Sequence, residues 1–315
     1  MVIKLGLLGL SDGNGHPYSW GAIVNGFNEN AFNNSNWDVI YKYLKVRDIS
    51  EFGFDNTKIT HVWTQEKLLS HNLAESINAE IVVDKYTDMI GEVDAVIIAR
   101  DDYENHLEMA QPFLEAGIKV LIDKPLTLDL DELDFFKKYL LSGQLMSVAG
   151  LRFAKELDEI RGNLHEFGKL KMIQSSVIMD WEKYGIHIID GVLGTINEIP
   201  KSIEYIATNI DLYVITFESG LVWTINTLGN TSKTFSIEIW GEKKRTCVEI
   251  SDNFSMFRRM LHRFVKLVKT DKVLYNPNQT VISIALLIAG IKSREDKQKI
   301  MLDDIYKQLE LEVEQ

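Results

Sequence analysis

The stretch VDAVIIARDDYENHLEMAQPFLEAGIKVLIDKPLTLD, residues 93–129, reads as strand, loop, helix, strand. VDAVIIA (93–99) is a continuous apolar run, the pattern of a strand buried on both faces. The helical pattern from Tyr103 to Ala116 ends at Gly117, and KVLIDKP (119–125) is a second buried strand. A strand returned by a helix to a second strand is a βαβ unit, so the fold class is α/β with a parallel sheet.

Upstream the same grammar repeats. Residues 2–10 are almost wholly apolar and run into the turn-rich SDGNGHP, after which Ser19 can cap a helix carrying Trp20, Ile23, Val24 and Phe27 at helical spacing. Either WDVIYKYLKV (37–46) or ITHVWT (59–64) can supply the second strand. The later one is preferred, because it leads directly into a helical pattern (Leu68, Leu69, Leu73, Ile77) and then into AEIVVD (79–84), as short βαβ connections require. Residues 35–58 then form an insertion.

Downstream of about residue 126 the pattern changes. A helix (129–141), a strand (146–151) and a helix near 154–164 precede extended segments at 169–180, 201–208, 211–217, 220–227, 234–239 and 245–250, and helices at 254–269 and 279–292 close the chain. Hairpin-like turns such as Glu218-Ser219-Gly220 predict a largely antiparallel open sheet. The division expected is a Rossmann-like domain over 1–125 and a C-terminal α+β domain over 126–315, for substrate binding and oligomerisation.

With 315 residues, two domains are the natural count, and 45% hydrophobic residues with only 5 prolines leave nothing that reads as disordered. The formal charge of −12 repels polyphosphate backbones, so nucleic acid is not an expected partner. The single cysteine, Cys247, permits neither an intramolecular disulfide nor a cysteine-based zinc site, and the seven histidines show no metal-ligand spacing, so no metal is expected. A reducing compartment, the cytoplasm, is the default. The opening apolar run is short for an export signal and reads as a strand, and no run of about eighteen apolar residues predicts a membrane span. The one basic segment, Met256 to Lys269, has apolar residues at helical spacing (Phe257, Leu261, Phe264, Val265, Val268), which predicts a packed amphipathic helix with a cationic outer face.

Gly9-Leu10-Ser11-Asp12-Gly13-Asn14-Gly15 follows the first strand, where backbone N–H groups and a helix N-terminus favour a pyrophosphate. Ser11 stands where G-x-G-x-x-G has its second glycine, so by itself the loop also reads as a flexible connection. Lys124 ends the fifth strand, on the sheet edge where ligands bind, and Pro125 biases it towards extended geometry; alone, it is equally a solvated strand-end lysine. His187 and Asp190, at i and i+3, share a face if helical, so the carboxylate either orients the imidazole or caps or pairs elsewhere.

Together these residues resemble the glucose-fructose oxidoreductase/inositol dehydrogenase (Gfo/Idh/MocA) family. His106 falls on the family's helix histidine and Lys124-Pro125 on its lysine-proline pair, with Asp123 in place of the usual glutamate. Tyr184-Gly185-Ile186-His187-Ile188-Ile189-Asp190 resembles the family's G-x-H-x-x-D segment, and SREDKQKIML its common ending. Lys183 departs from members that carry an aspartate four residues before this histidine. The resemblance implies an NAD(P)-dependent dehydrogenase or reductase acting on a CH–OH group of a sugar or sugar-nucleotide, assembled as a homodimer or homotetramer. It implies that the cofactor, NAD or NADP, is held by Gly9, Leu10, Ser11, Gly13, Thr64, Gln65, Arg100, Asp101, His106, Lys124 and Pro125. Arg100 either contacts the cofactor or a substrate phosphate, or forms a salt bridge with Asp101 or Asp102. His187 is then the acid/base, Lys124 the cation that orients the hydroxyl and Asp190 the orienting partner, although His187 and Lys124 can exchange roles. Two other uses of the fold stay open: a non-catalytic cofactor-binding sensor or regulator, and NAD-assisted glycoside elimination or hydrolysis.

Overall fold

The computed structural model describes residues 2–196 and 198–311, and the chain divides into two compact units. The first takes in residues up to Leu126, Lys138–Ser147 and Asn253–Pro277; the second takes in Thr127–Lys137, Val148–Asp252 and the chain from Asn278 onwards.

The first unit is built on β1 (Ile3–Leu8), β2 (Thr57–Trp63), β3 (Ile81–Val82), β4 (Ala95–Ile98), β5 (Lys119–Ile122) and β6 (Leu145–Met146). All pairs are parallel, in the order β3-β2-β1-β4-β5-β6, which is the Rossmann order. The inner strands are buried on both faces, as their unbroken apolar runs require; Leu5, Leu7, Val96, Ile97 and Leu121 are wholly inaccessible. Helices α1 (His16–Asn25), α2 (Glu29–Asn33), α3 (Asp38–Leu44), α4 (Lys67–Ser76) and α5 (His106–Glu115) belong to this unit, and α6 (Leu130–Ser142) crosses the boundary between the two.

Helix α1 begins earlier than Ser19 suggests. Gly15 is its N-cap and Pro17 lies in the first turn, where a missing N–H costs nothing, so Ser19 is an interior, buried residue. The insertion forms α3, which covers Gly15: a Cβ there would lie 2.3 Å from Ile40 and 2.6 Å from Trp37.

In the second unit, α7 (Asp158–Gly162) precedes β7 (Leu170–Val177), α8 (Ile186–Leu193), β8 (Pro200–Ala207), β9 (Asp211–Phe217), β10 (Val222–Thr227), β11 (Phe235–Gly241) and β12 (Arg245–Glu249). The helix α9 (Asn253–Thr270) follows, then α10 (Pro277–Asp296), β13 (Ile300–Met301) and α11 (Leu302–Gln308). The seven-stranded sheet runs β12-β11-β7-β10-β9-β8-β13, antiparallel except for the β7–β10 pair.

One expectation is corrected here. Helix α9 lies in the first unit, not with the C-terminal domain. Its apolar stripe, including Phe257, Leu261 and Phe264, is buried, and Phe257 sets its edge 4.9 Å from His16 at the start of α1. In the second sheet, Trp223, Ile225 and Ile237 are fully buried on the inner face. Trp223 Nε1 donates to Ser175 Oγ at 2.9 Å, and Trp240, facing outward, is covered in part by the Arg245 guanidinium at 5.4 Å. Strand alternation puts every second residue inside, so these residues and their neighbours cannot all be outside.

Candidate active site

In the first unit, β1 and β4 are neighbours whose chains proceed to opposite sides of the sheet, the switch point at which open α/β sheets bind ligands. The loop Gly9–Gly15 leaves β1 at this point and is fastened to both sides. Leu10 N–H donates to Gln65 Oε1 at 3.1 Å, beyond the end of β2. Ser11 Oγ donates to Asp101 Oδ1 at 2.7 Å and receives the Asp101 N–H at 3.1 Å, beyond the end of β4. A Cβ on Gly9 would lie 2.6 Å from the Pro17 ring, so a side chain is excluded there, whereas Gly13 adopts φ +71° with no atom within 4 Å of its Cβ position. A bare, left-handed backbone facing open space at the start of a helix suits a dinucleotide's diphosphate, and the residues fit that group.

The structure separates the other expected cofactor residues by what already holds them. Thr64 is buried, its hydroxyl bonded to Glu66 O and to Ser70 Oγ, so it closes the turn into α4. Arg100 makes the ion pair with Asp102: its guanidinium is bidentate on that carboxylate and also donates to Gln65 Oε1 at 3.2 Å. His106 is wholly buried, with Nδ1 2.9 Å from Leu126 O and Nε2 2.8 Å from Arg100 O. It is a strut between the chain leaving β4 and the chain leaving β5, which fixes the Lys124-Pro125 turn from behind.

Lys124 is 5% exposed, with Nζ 3.9 Å from Asp101 Oδ2. The residue before it anchors a cluster that the sequence reading missed. Asp123 is 1% exposed; its Oδ2 receives Asn14 Nδ2 at 2.9 Å and His16 Nδ1 at 2.5 Å, and its Oδ1 receives the Lys124 N–H at 2.7 Å. Burial pushes the Asp123 pKa up, but the charge and hydrogen bond of His16, the charge of Lys124 and the Asn14 amide outweigh it and bring it down to about 2. Asn14 Oδ1 also receives the His16 N–H at 2.8 Å, which caps the first turn of α1. The signal was a pair of polar side chains inside a glycine loop; their partner, more than a hundred positions away, has no periodicity to reveal it.

In the second unit, His187 lies in the first turn of α8, 6% exposed, its ring 5.6 Å from Tyr184 and 5.5 Å from Phe235. The π-helical turn before it, Trp181–Gly185, is anchored by Trp181, which is fully buried and donates Nε1 to Leu287 O at 2.8 Å. Gly185 and Gly290 make room for that indole, since a Cβ on either would come within 3.0 Å of it. Lys183 is part of this turn and gives its backbone N–H to Asp180 Oδ1 at 2.8 Å.

Asp190 does not orient His187. Its Oδ1 receives Arg152 Nη2 at 2.8 Å and its Oδ2 the Ala149 N–H at 2.6 Å, so both oxygens are engaged by the chain around Gly150–Phe153. Arg152 in turn gives Nη1 to Gln279 Oε1 at 2.7 Å. The i, i+3 spacing puts the two residues near one another, but the carboxylate is taken up by a buried guanidinium on one oxygen and a backbone N–H on the other. Among the described residues there is no group of three or more His, Cys, Asp or Glu able to hold a metal ion, and no helix long and apolar enough to cross a membrane.

Residues 45–146 match the family model GFO_IDH_MocA, an oxidoreductase family with an NAD-binding Rossmann fold. No curated protein matches the sequence. Among solved structures, myo-inositol 2-dehydrogenase from Lactobacillus plantarum is 15% identical with TM-score 0.76, over 96% of this chain and 99% of that one. Scyllo-inositol dehydrogenase from Lactobacillus casei, crystallised with NAD(H) and scyllo-inositol, is 14% identical with TM-score 0.74, over 96% of this chain and 100% of that one. A probable dehydrogenase from Thermotoga maritima is 15% identical with TM-score 0.74 and the same coverage. Identities this low make the likeness one of fold.

Proposed function

From the match of residues 45–146 to the Gfo/Idh/MocA oxidoreductase family model, we propose that the chain is a member of that family and an NAD(P)-dependent oxidoreductase. It moves a hydride between nicotinamide and a carbinol carbon of a sugar, an inositol-like polyol or a sugar-nucleotide. The observation that carries this reading is a buried lysine, Lys124, at the carboxyl end of β5, with only β4 between that strand and the Gly9–Gly15 loop at the switch point. An ammonium held beside Asp101 on the sheet edge where ligands bind can meet a substrate oxygen that develops negative charge.

In this mechanism the loop backbone from Gly9 to Gly15 and the first turn of α1 hold the diphosphate, and the nicotinamide, when bound, supplies the hydride chemistry. Lys124 Nζ donates to the substrate hydroxyl and stabilises the charge on its oxygen as the proton leaves. In a desolvated setting such a fixed cation is worth far more than in water. The His187 imidazole takes that proton, or returns it in the reverse direction. Asp190 acts on neither atom; through Arg152 and Ala149 it holds α8, and therefore His187, in place. We also propose a homodimer or homotetramer, supported by half-buried Met172, Val214 and Val222 on the outer face of the second sheet.

The test is a titration with NAD and NADP followed by tryptophan fluorescence, then a panel of inositols, sugars and sugar-nucleotides with the reduced nicotinamide monitored by absorbance. Saturable binding of one dinucleotide and net reduction by a polyol support the reading. Failure of both dinucleotides to bind would remove it, and binding without net turnover on any substrate would favour a sensor.

A further inference from the structure

Both ends of Lys124 are tied to the Gly9–Gly15 loop and its continuation into α1. At the backbone, the Lys124 N–H donates to Asp123 Oδ1 while Asn14 and His16 hold Oδ2 of the same carboxylate. At the ammonium, Nζ faces Asp101, whose other oxygen receives Ser11 Oγ. We propose that Asn14 and His16 are positioning residues for Lys124, acting through the shared Asp123 carboxylate, so that occupation of the loop by the dinucleotide sets the orientation of the lysine. This rests on the role given to Lys124 above.

The geometry leaves little slack. An ionised carboxylate only accepts, so His16 Nδ1 carries the hydrogen in the bond to Asp123. The imidazole cannot swing away, because it stacks on Trp20 at 4.8 Å with 10° between planes and meets the edge of Phe257 at 4.9 Å. Asp123 is held from three directions in a site without water access, where an unpaired charge is costly. The charged groups facing it are His16 from the loop side and Lys124 from its own strand end, with Asp101 beyond the lysine. Any shift of the loop therefore moves the carboxylate, and with it the lysine's backbone.

The experiment reads the Lys124 amide directly, in full-length protein labelled with ¹⁵N-lysine and free of dinucleotide; the resonance is the one lost in Lys124→Arg. In the wild type a charge-assisted bond places it downfield, and it shows no titration step down to about pH 3. His16→Phe keeps the stacked ring but removes the bond and the charge; Asn14→Ala removes the amide. In each variant the resonance should move upfield and show a step at higher pH than in the wild type, because burial then pushes the Asp123 pKa up. If His16→Phe fails to fold, Asn14→Ala decides. An amide unmoved in position and pH profile in the folded variants would overturn the proposal.

Adding NAD should shift this resonance in the wild type and shift it less in the variants, with turnover lowered up to about 10²-fold, as expected for misplacement of a reacting group. A wild-type protein that binds no dinucleotide would overturn the proposed function, while the dinucleotide-free amide measurements still decide the tie between His16, Asn14 and Lys124.

Discussion

Lys124→Met removes a buried positive charge and keeps much of the side-chain volume, so its effect reports charge and not packing. Turnover should fall about 10²- to 10⁴-fold, with dinucleotide affinity changed much less, and His187→Ala should lose a factor of the same order. Near wild-type kcat in both would exclude the assigned roles. Asp123 makes a separate prediction about stability. Its pKa in the folded protein is lowered to about 2 from the ordinary 3.8, so its contribution is fully present above the unfolded value and is lost as pH falls through the folded one. Between about pH 4 and pH 2 the wild type should therefore lose on the order of 2 kcal/mol from this group. Asp123→Asn, less stable at neutral pH, should show a flatter profile over that window in urea unfolding. Lys124 and His187 were singled out by residue type and local spacing, which a short stretch of sequence carries. The partner of Asp190 was not, since Arg152 is 38 positions away and sits outside any helical repeat.

Among the elements, the loop after β1 and the helix α8 carry the sharpest expectations. Gly9→Val places a branched side chain where a Cβ alone would already lie 2.6 Å and 2.9 Å from Pro17. The loop must shift to admit it, so calorimetric titration of the folded protein should show dinucleotide affinity falling steeply together with a lower Tm; unchanged affinity would show that this loop does not hold the diphosphate. Arg152→Ala leaves Asp190 as a buried charge without its guanidinium, since the pair is only 3% and 2% exposed at the side chains. Breaking such a pair from one side costs about 3–5 kcal/mol, measurable as a lower denaturation midpoint. The elements themselves were readable where apolar runs are long, as in β1, β4 and β5. The start of α1 was misplaced because Ser19 is a good cap by type, whereas Gly15 and Pro17 act through backbone geometry.

For the whole molecule, the formal charge of −12 makes copies of the chain repel one another, so self-association has to come from a specific face. Light scattering at micromolar concentration should give twice or four times the chain mass, and a monomer would count against the assembly proposed. The sequence by itself determined the succession of β1 to β5 with α1, α4 and α5 between them, the parallel character of the first sheet and the position of Lys124 at a strand end. These follow from local apolar periodicity and from glycine and proline punctuation, which act over a few residues. Only the tertiary structure decided that α9 belongs to the first unit, that Trp223, Ile225 and Ile237 face inward, and that Arg152 claims Asp190. It alone brought Asn14 and His16 to Asp123. Those outcomes depend on which buried charges and surfaces meet across 38 positions of chain, for Arg152 and Asp190, to more than a hundred, for Asn14 and His16 with Asp123, a competition among distant partners that no local pattern records.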